Sequence, residues 1–350
     1  MTQGAKLNIA IVGATGAVGR EMIKLVEGRL MDKVASLRPL ASERSLGLVV
    51  PFAGHALEVQ ALGPDSFAGI DVALFSAGGS TSVAFAPVAT AAGALVVDNS
   101  SAFRMDPDVP LVVPEVNAHA VALALPARGG RGIIANPNCS TIQMVVALQP
   151  LHARAGLRRV IVSTYQSVSG AGRSGINELM NATRALMTGQ PEPGPERFAH
   201  PIAFNAIPHV DVFLDNGYSR EEMKMALETR KIMGLPDLQV SATCVRIPVI
   251  RSHSEAVTAE FAEPISVQQA REILAAAPGV KLVDDLANNA YPLPRDADGV
   301  DDTFVGRIRQ DLDRLDTLHM WVVSDNLRKG AATNAVQIVE ALIEGGHLDR

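Results

Sequence analysis

A glycine-rich turn near the start of the chain constrains the fold most. Leu7 to Val12 is a short apolar run with β-branched residues, and Gly13-Ala14-Thr15-Gly16-Ala17-Val18-Gly19 follows it directly. Apolar residues then recur at helical spacing from Val18 to Val26. The order strand, glycine turn, helix is typical of dinucleotide-binding domains, because amides at the helix N-terminus meet the charge of a pyrophosphate. The spacing GxxGxxG differs from the commoner GxGxxG, so the position of the turn carries this prediction more than the glycines do.

Strands and helices continue to alternate through the first part of the chain. Apolar runs predict strands at Val72 to Ser76, Ala94 to Asp98 and Gly132 to Asn136. A helix from Ser80 to Ala92 separates the first two, and Gly93 suits the left-handed position that follows a helix. Such alternation predicts a Rossmann-type α/β domain, with a mostly parallel sheet covered by helices on both faces.

The second half of the chain has a different pattern. From Arg158 to Val168 the residues alternate, and the even-numbered positions from Val160 share one face. Further elements of both kinds are predicted, namely strands at Val240 to Val249, Ala256 to Phe261 and Leu318 to Val323, and helices at Ser140 to Ala155, Ser219 to Met233, Val267 to Ala276 and Ala331 to Ile343. We therefore predict an α+β domain with a mixed sheet.

The composition limits the class of partner and the compartment. Hydrophobic residues make up 47% and charged residues 19% of the 350 residues, which suits a packed globular protein. The net charge of -6 disfavours a nucleic-acid partner, and no apolar run is long enough to span a bilayer. Met1 to Lys6 lacks the apolar core of a secretory signal. The two cysteines, Cys139 and Cys244, disfavour a disulfide framework and indicate a reducing cytoplasm. We predict no metal site.

The segment Ala41-Ser42-Glu43-Arg44-Ser45 bears on the choice of cofactor. It stands where the second strand of a dinucleotide-binding domain ends. An acidic residue there binds the ribose 2′-hydroxyl of NAD, whereas arginine and small hydroxyl residues accommodate the 2′-phosphate of NADP. Ser42 and Arg44 favour NADP, and Glu43 is the contrary signal unless its side chain points to solvent. We therefore predict NADP as the cofactor.

Cys139 stands where a strand gives way to a helix, in Asn136-Pro137-Asn138-Cys139-Ser140-Thr141. The macrodipole and the backbone amides stabilise a thiolate at a helix N-terminus, and a thiolate attacks acyl phosphates and aldehydes. A buried structural thiol is the alternative, and it is the usual state of a lone cysteine. The position and the polar lead-in favour a nucleophile at Cys139, whereas Cys244 lies in an apolar run and is predicted to be structural.

Two further segments carry charged residues that could act beside the thiol. His253 follows a predicted strand and lies near Arg246 and Arg251 in the sequence, so it is a candidate acid/base. The helix start Ser219 to Glu222 has the form of a capping box. Glu221 and Lys224 share a helix face, and their spacing alone favours a solvated ion pair.

Taken together, these stretches resemble the aspartate-β-semialdehyde dehydrogenase family. The resemblance covers almost the whole chain, and its cysteine and histidine segments are specific. The matching segments, in chain order, are Gly13 to Gly19, Asn99 to Arg104, Asn136 to Thr141, Ser163 to Gly170, Glu221 to Lys224, Arg246 to Glu255 and Asp302 to Arg307. The resemblance implies an NADP-binding domain of residues 1–138 plus 330–350, and a catalytic and dimerisation domain of residues 139–329.

The resemblance also implies a role for each candidate residue. Cys139 would be the nucleophile, His253 the general acid/base and Gln166 the residue that orients the substrate. The substrate contacts would be Arg246 on the α-carboxylate, Glu221 on the amino group, and Arg104, Asn138 and Lys224 at the phosphate. The cofactor contacts that the resemblance implies are Thr15, Gly16, Ala17, Val18, Ser169, Gly170 and Asn326. Gly13, Ser42 and Arg44 join them from the glycine turn and from the segment after the second strand. On this interpretation Glu221 and Lys224 bind the substrate and are not a surface pair.

The reaction implied by the resemblance is the reductive dephosphorylation of L-aspartyl 4-phosphate. The Cys139 thiolate attacks, phosphate leaves, and hydride from NADPH reduces the thioester. The thiohemiacetal then collapses with a proton from His253 and releases L-aspartate 4-semialdehyde. This step would feed lysine, methionine and threonine synthesis, through diaminopimelate for lysine. The resemblance further implies a homodimer or pair of dimers that binds small molecules. The composition predicts a cytoplasmic protein without a nucleic-acid or membrane partner.

Two alternative functions remain at this point. N-acetyl-γ-glutamyl-phosphate reductase shares the fold and the thioester chemistry, but its substrate has an acylated nitrogen and needs no acidic partner. Glu221 together with Arg246 therefore favours a free amino acid. A catalytically silent paralogue would be expected to lose the thiol or the imidazole, and both Cys139 and His253 are present.

Overall fold

The computed structural model describes residues 6–348 and divides into two compact units. The first unit holds the chain up to Asn138 and again from Ala331, and the second unit runs from Cys139 to Gly330. Residues 1–5, where we predict no secretory signal, and residues 349–350 lie outside the described residues. No helix within residues 6–348 is long and apolar enough to cross a bilayer.

The first unit is built on a parallel sheet, with strand order β5-β2-β1-β6-β7-β8. Its strands are β1 (Leu7–Val12), β2 (Val34–Ala41), β3 (Val49–Phe52), β4 (His55–Glu58), β5 (Gln60–Ala61), β6 (Val72–Phe75), β7 (Leu95–Asp98) and β8 (Ile133–Ala135). Its helices are α1 (Ala17–Leu30), α2 (Gly79–Ala91), α3 (Pro114–Asn117) and, numbered last along the chain, α9 (Thr333–Glu344). The strands β3 and β4 form a separate hairpin.

The predicted Rossmann-type architecture is confirmed in this unit. The first strand has the predicted bounds, and Gly93 lies past α2 with a φ of 91°. Strand β1 pairs with β2 on one side and with β6 on the other, so the strand order reverses beside β1. Ligands of such sheets bind at the carboxyl ends of the strands at this reversal. Helix α9 packs against α1, and Val336 and Val339 are fully buried in the core of the unit.

The second unit contains a mixed sheet, with strand order β10-β9-β11-β14-β13-β12. Its elements, in chain order, are α4 (Cys139–Ala155), β9 (Leu157–Gln166), α5 (Gly172–Met187), α6 (Arg220–Met233), β10 (Gln239–Arg246), β11 (His253–Phe261), α7 (Val267–Ala276), β12 (Val280–Leu282), α8 (Pro294–Ala297), β13 (Thr303–Gln310) and β14 (Thr317–Ser324). Strand β9 is parallel to β10 and antiparallel to β11. This arrangement confirms the predicted α+β domain.

The sheet of the second unit brings three candidate residues to one edge. Gln166 and Arg246 end the parallel strands β9 and β10, and they are direct partners in the register. His253 begins the antiparallel strand β11, whose next residue pairs with the residue before Gln166. Helix α4, which begins at Cys139, packs against β9, β11 and β14. The candidate nucleophile and acid/base therefore belong to neighbouring elements of one unit.

Some predicted boundaries are wrong near this edge. Strand β11 begins at His253 and not at Ala256, and β10 ends at Arg246 and not at Val249. The chain between them turns through Ser252, whose φ is 72°. The C-terminal helix starts at Thr333, after a π-helical turn from Arg328 to Ala332. Residues Ile247 to Ile250 are apolar and extend the strand pattern past the true end of β10, whereas the polar residues His253 to Glu255 interrupt the apolar periodicity at the start of β11.

Candidate active site

Cys139 is the first residue of α4 and is partly exposed. The segment that leads into it is anchored within the first unit, where the Asn136 side chain donates to Asn99 Oδ1 (2.6 Å) and accepts from Asn334 Nδ2 (2.7 Å). A cysteine at this position lies at the positive end of the helix macrodipole, which favours its thiolate. A Cβ added to Gly330 would lie 2.9 Å from the Cys139 Cβ, so a glycine is required beside the thiol.

Gln166 connects the start of α4 to α6. Its Nε2 donates to Ser140 Oγ (2.8 Å) and to Glu221 Oε1 (3.0 Å). The residue is 1% exposed, and its Oε1 has no hydrogen-bond partner within residues 6–348. The side chain is thus held by its amide nitrogen, while its amide oxygen is left for another donor.

Glu221 and Lys224 form an ion pair, but not the solvated one that spacing alone favours. Lys224 Nζ lies 3.0 Å from Glu221 Oε2 and 2.8 Å from Asp211 Oδ2, and the two side chains of the pair are 20% and 7% exposed for lysine and glutamate. Burial alone would lower the pKa of Lys224, but Glu221 and Asp211 outweigh it and the pKa is raised. The capping box is confirmed at Ser219 and Glu222, so both of these residues are structural at this helix start.

Arg246 is 7% exposed, and its Nη1 donates to the Ser167 carbonyl oxygen (2.6 Å). Its guanidinium also lies 5.8 Å from the centre of the Phe198 ring, which is a cation–π distance. Burial lowers the pKa of Arg246, and the negative charges of Glu221 and Cys139 oppose this shift. A cation, an anion and the candidate nucleophile are therefore close enough to interact electrostatically.

The His253 ring is completely buried and belongs to a hydrogen-bonded network. Its Nδ1 accepts from the Ser167 backbone N–H (3.0 Å) and lies 3.1 Å from the Ser167 hydroxyl. Asn326 Oδ1 accepts from Ser167 Oγ (3.1 Å), Ser169 Oγ (3.0 Å) and the Ser252 N–H (3.0 Å). Burial and then Arg246 lower the pKa of His253 to about 3. The imidazole is therefore neutral near neutral pH.

The remaining predicted residues of the second unit border this network. Ser169 and Asn326 are buried members of it, and Gly170 is exposed beside it. A Cβ added to Gly170 would lie 3.0 Å from Arg246 Nη1 and 3.4 Å from His253 Nε2. Any larger residue would therefore crowd both side chains. The role of these three residues in cofactor binding stays a prediction.

Arg104 and Asn138 lie in the first unit and are both buried. Arg104 Nε donates to the Asn136 carbonyl (2.9 Å), and its Nη2 donates to the Asn99 carbonyl (3.0 Å). The guanidinium is thereby fixed against the segment that leads to Cys139. Their shared phosphate site with Lys224 stays a prediction.

The glycine turn of the first unit has the shape of a dinucleotide cradle. Gly13 has a φ of 88°, and a Cβ on it would lie 2.9 Å from the Ser76 carbonyl carbon. A Cβ on Gly19 would lie 2.2 Å from the Gly13 carbonyl oxygen. Helix α1 starts after Gly16 without a side-chain cap, so its first amides are left for a ligand. These residues fit a pyrophosphate, with Thr15, Ala17 and Val18 in the same turn.

The segment after β2 lies beside this cradle. Thr15 Oγ1 and Ser45 Oγ are 3.3 Å apart, and the turn amides of Gly13 and Ala14 donate to the Leu40 carbonyl. Ser42, Glu43 and Arg44 follow β2 and are exposed. The segment Ser42 to Arg44, which we predict to determine the choice between NADP and NAD, is therefore next to the glycine turn. A substituent on the ribose 2′ position would bind there.

Comparison with known proteins agrees with this geometry. Two family models match, "Semialdehyde dehydrogenase, NAD binding domain" over residues 8–124 and "Semialdehyde dehydrogenase, dimerisation domain" over residues 148–329. The aspartate-semialdehyde dehydrogenase of Aquifex aeolicus is 56% identical, over 97% of this chain and 98% of its own. The Bacillus subtilis enzyme of the same name is 53% identical, over 97% and 98%. This chain belongs to the aspartate-semialdehyde dehydrogenase family.

A solved member of the aspartate-semialdehyde dehydrogenase family has the same fold. The Vibrio cholerae aspartate semialdehyde dehydrogenase II complexed with ASA is 48% identical and has a TM-score of 0.92, covering 97% of this chain and 98% of that chain. The present chain is accordingly an oxidoreductase of amino-acid biosynthesis with a nicotinamide dinucleotide-binding domain. Membership of this family favours the aspartate-semialdehyde dehydrogenase function over the two alternatives, an N-acetyl-γ-glutamyl-phosphate reductase and a catalytically silent paralogue.

Several residues of this aspartate-semialdehyde dehydrogenase site were not found from the sequence. Ser140, Ser167 and Gly330 contact the candidate residues directly, and Asp211 is the second partner of Lys224. Ser140 and Ser167 lie inside segments that carry the family resemblance, which was a usable signal. Asp211 and Gly330 are far from their partners along the chain, and no local pattern marks them.

Proposed function

We propose that this chain catalyses the NADPH-dependent reductive dephosphorylation of L-aspartyl 4-phosphate to L-aspartate 4-semialdehyde and phosphate. The observation that carries the proposal is the thiol at the start of α4, in the same unit as the Gln166, Glu221, Arg246 and His253 network. The product would supply lysine (through diaminopimelate), methionine and threonine synthesis. The family's dimerisation domain supports an oligomer, which we propose to be a homodimer or a pair of dimers.

The covalent chemistry takes place on Cys139. Its thiolate attacks the acyl carbon of the substrate, the bond to the phosphate oxygen breaks, and phosphate leaves. This produces a thioester. When bound in the glycine cradle, NADPH supplies the hydride that reduces the acyl carbon. The carbon–sulfur bond then breaks, which releases the semialdehyde and restores the thiolate.

The charged residues of the second unit bind the amino-acid end of the substrate. Arg246 offers a planar fork to the α-carboxylate, and its bond to the Ser167 carbonyl keeps the fork in place. Glu221 receives the α-ammonium group. Lys224 donates to Glu221 Oε2 at 3.0 Å and is a proposed phosphate contact. Arg104 and Asn138 are the other two proposed phosphate contacts.

The exposed arginine beside the glycine cradle supports NADP over NAD. We expect Arg44→Ala to weaken NADP binding by about tenfold, because an arginine–phosphate hydrogen bond is lost, and to leave NAD binding nearly unchanged. Fluorescence titration with NADP and with NAD gives the dissociation constant of each cofactor. Glu43→Gln is the control, since a solvent-facing Glu43 contributes to neither. Equal losses for the two cofactors in Arg44→Ala would contradict the assignment, and a loss of NAD binding in Glu43→Gln would identify Glu43 as the ribose contact.

The reaction itself is tested in the phosphorylating direction. Purified protein is incubated with aspartate semialdehyde, phosphate and either NADP or NAD, and formation of the reduced cofactor is followed by absorbance. We expect turnover with aspartate semialdehyde and NADP, and little with N-acetylglutamate semialdehyde. A clear preference for the N-acylated substrate would move the assignment to N-acetyl-γ-glutamyl-phosphate reductase.

Glu221→Gln removes the charge that meets the α-ammonium and keeps the shape of the side chain. We expect kcat/KM for aspartate semialdehyde to fall by about tenfold or more, because a charge-assisted contact becomes a neutral one. Glu222→Gln is the matched control on the same helix turn. Its single amide oxygen can accept from only one of the Ser219 and Cys244 backbone N–H groups that the carboxylate accepts from, so we expect some loss of thermal stability but activity near that of the wild type. Equal kinetics for the two variants would remove Glu221 from the substrate site.

A further inference from the structure

Asp211 contacts the Glu221–Lys224 pair from another part of the chain. Lys224 Nζ lies 2.8 Å from Asp211 Oδ2 and 3.0 Å from Glu221 Oε2, so one ammonium group bridges two carboxylates. Glu221 and Lys224 are both on α6, whereas Asp211 belongs to the connection between α5 and α6, residues 188–219. One carboxylate is enough to balance the charge of a lysine. The Asp211 carboxylate is therefore in excess of what Lys224 requires.

Backbone hydrogen bonds anchor the connection on both sides of Asp211. Before it, the Ile207 N–H donates to the Arg246 carbonyl (2.9 Å), and the Arg246 N–H donates to the Ile207 carbonyl (2.8 Å). After it, the Arg220 N–H donates to the Val212 carbonyl (2.8 Å). Asp211 has a φ of 66°, and its Oδ1 accepts from the Val212 N–H (2.9 Å). The carboxylate is thus held by the backbone through one oxygen, while the other oxygen accepts from the lysine.

The three side chains carry a net negative charge near neutral pH. Burial lowers the pKa of Lys224, but Glu221 and Asp211 together raise it above its usual value. Burial raises the pKa of Asp211, but its hydrogen bond with Lys224 and the lysine charge lower it below its usual value. Lys224 is therefore protonated and Asp211 is ionised. With the Glu221 carboxylate of the proposed function, a net single negative charge remains. Arg220 Nη1 lies 3.9 Å from Asp211 Oδ1, but its side chain is 57% exposed, so water screens its charge.

This net charge is opposite to that of the group that the proposed function places beside Glu221. A Glu221–Lys224 pair alone would be neutral and would attract an α-ammonium group only weakly. The charge of Arg246 is balanced by the α-carboxylate that it is proposed to bind. We propose that Asp211 is a positioning residue that acts through Lys224: it shares the lysine charge, so that Glu221 keeps the negative charge that binds the α-ammonium group. This inference rests on the proposed function.

Asp211→Asn removes the charge and suits the local backbone, because asparagine also adopts left-handed conformations. When its amide oxygen accepts from the Val212 N–H, its amide nitrogen faces Lys224 Nζ, and two donors cannot bond to each other. The lysine charge is then left to Glu221 alone. We expect the KM for aspartate semialdehyde to rise by about fivefold, the effect of one partly screened charge. The KM for phosphate should fall, since an anion then meets a site with one negative charge fewer.

Steady-state kinetics in the phosphorylating direction, with each substrate varied in turn, measure both KM values. Asp215→Asn is the matched control, because Asp215 is exposed on the same connection and forms no ion pair within residues 6–348. It removes the same charge at a distance from Lys224, so both KM values should stay near those of the wild type. Opposite shifts for the two substrates are expected of a charge effect and not of a damaged site.

A double variant separates the charge of Asp211 from its role as a hydrogen-bond partner. Asp211→Asn combined with Lys224→Gln removes one charge of each sign, so the net charge beside Glu221 returns to that of the wild type. The KM for aspartate semialdehyde should therefore return toward the wild-type value. The KM for phosphate should rise above it, because Lys224 is a proposed phosphate contact. A double variant with a KM for aspartate semialdehyde as high as that of Asp211→Asn would overturn the inference.

Two other results would also overturn it. One is an unchanged KM for aspartate semialdehyde in Asp211→Asn, and the other is a rise in both KM values. A wild type without turnover of aspartate semialdehyde would remove the proposed function, and the inference with it. An active wild type with an unaffected Asp211→Asn variant would remove only the role of Asp211, so the two failures are distinguishable.

Discussion

Cys139→Ala should abolish turnover, with kcat reduced by at least about ten-thousandfold, because a covalent route has no substitute once its nucleophile is removed. The fold should be retained. Cys139 is partly exposed at the first position of α4, and alanine is the best helix former. Binding of NADP should also be close to that of the wild type, since the glycine cradle lies in the first unit.

The other cysteine provides the control for this experiment. Cys244 is completely buried on β10, and burial raises the pKa of its thiol, so it is unreactive. Cys244→Ala should keep its turnover and lose about 1 kcal/mol of stability for the small cavity it leaves. Mass spectrometry after incubation with substrate should detect an acyl adduct on Cys139 in the wild type and in Cys244→Ala only. Activity near the wild-type level in Cys139→Ala would exclude the covalent mechanism.

Arg246→Ala should lower kcat/KM for aspartate semialdehyde by about a thousandfold, because truncating one partner of a buried, hydrogen-bonded charge pair costs several kcal/mol. Arg246→Lys should recover only part of this loss. Lysine keeps the charge but lacks the planar fork that matches a carboxylate, and it loses the cation–π contact with Phe198. Steady-state kinetics with varied substrate separate the expected rise in KM from any change in kcat.

A truncated substrate shows whether the loss of kcat/KM in Arg246→Ala comes from the lost contact with the α-carboxylate. The aldehyde 3-aminopropanal lacks that group, so the wild type and Arg246→Ala should process it with similar kcat/KM. Arg251→Lys is the control, because Arg251 forms ion pairs with Asp325 and Asp298 that a lysine can keep, and its activity should be close to that of the wild type. A large difference between the wild type and Arg246→Ala on 3-aminopropanal would assign Arg246 another role.

The sequence predicts those parts of the fold that local periodicity controls. Helix α7 has the predicted bounds, and β1 likewise, because each has a regular apolar pattern bounded by turn or capping residues. The start of β11 was missed because it carries His253, Ser254 and Glu255 in succession. These residues are buried and polar, which no periodicity of apolar residues can represent. Strand prediction therefore failed where the strand contributes to the site.

The candidate site was only partly predictable for a different physical reason. The candidate catalytic and substrate-binding residues could be named from their segments, but their contacts depend on pairings between distant parts of the chain. Gln166 and Arg246 are neighbours because β9 and β10 pair in parallel in one particular register. Burial of the Glu221–Lys224 pair depends on what packs over its helix face, and i,i+3 spacing contains no information on that.

The position of α9 has a consequence for the order in which the chain folds during synthesis. This helix fills the core of the first unit beside α1, yet the ribosome makes it only after the whole second unit. Residues 139–330 are contiguous and have all their own core residues as soon as they emerge. The hydrophobic core of the first unit stays incomplete until α9 has been synthesised. The nascent nucleotide-binding unit is therefore the part that most needs protection by a chaperone, and the unit that carries the nucleophile can be complete before it.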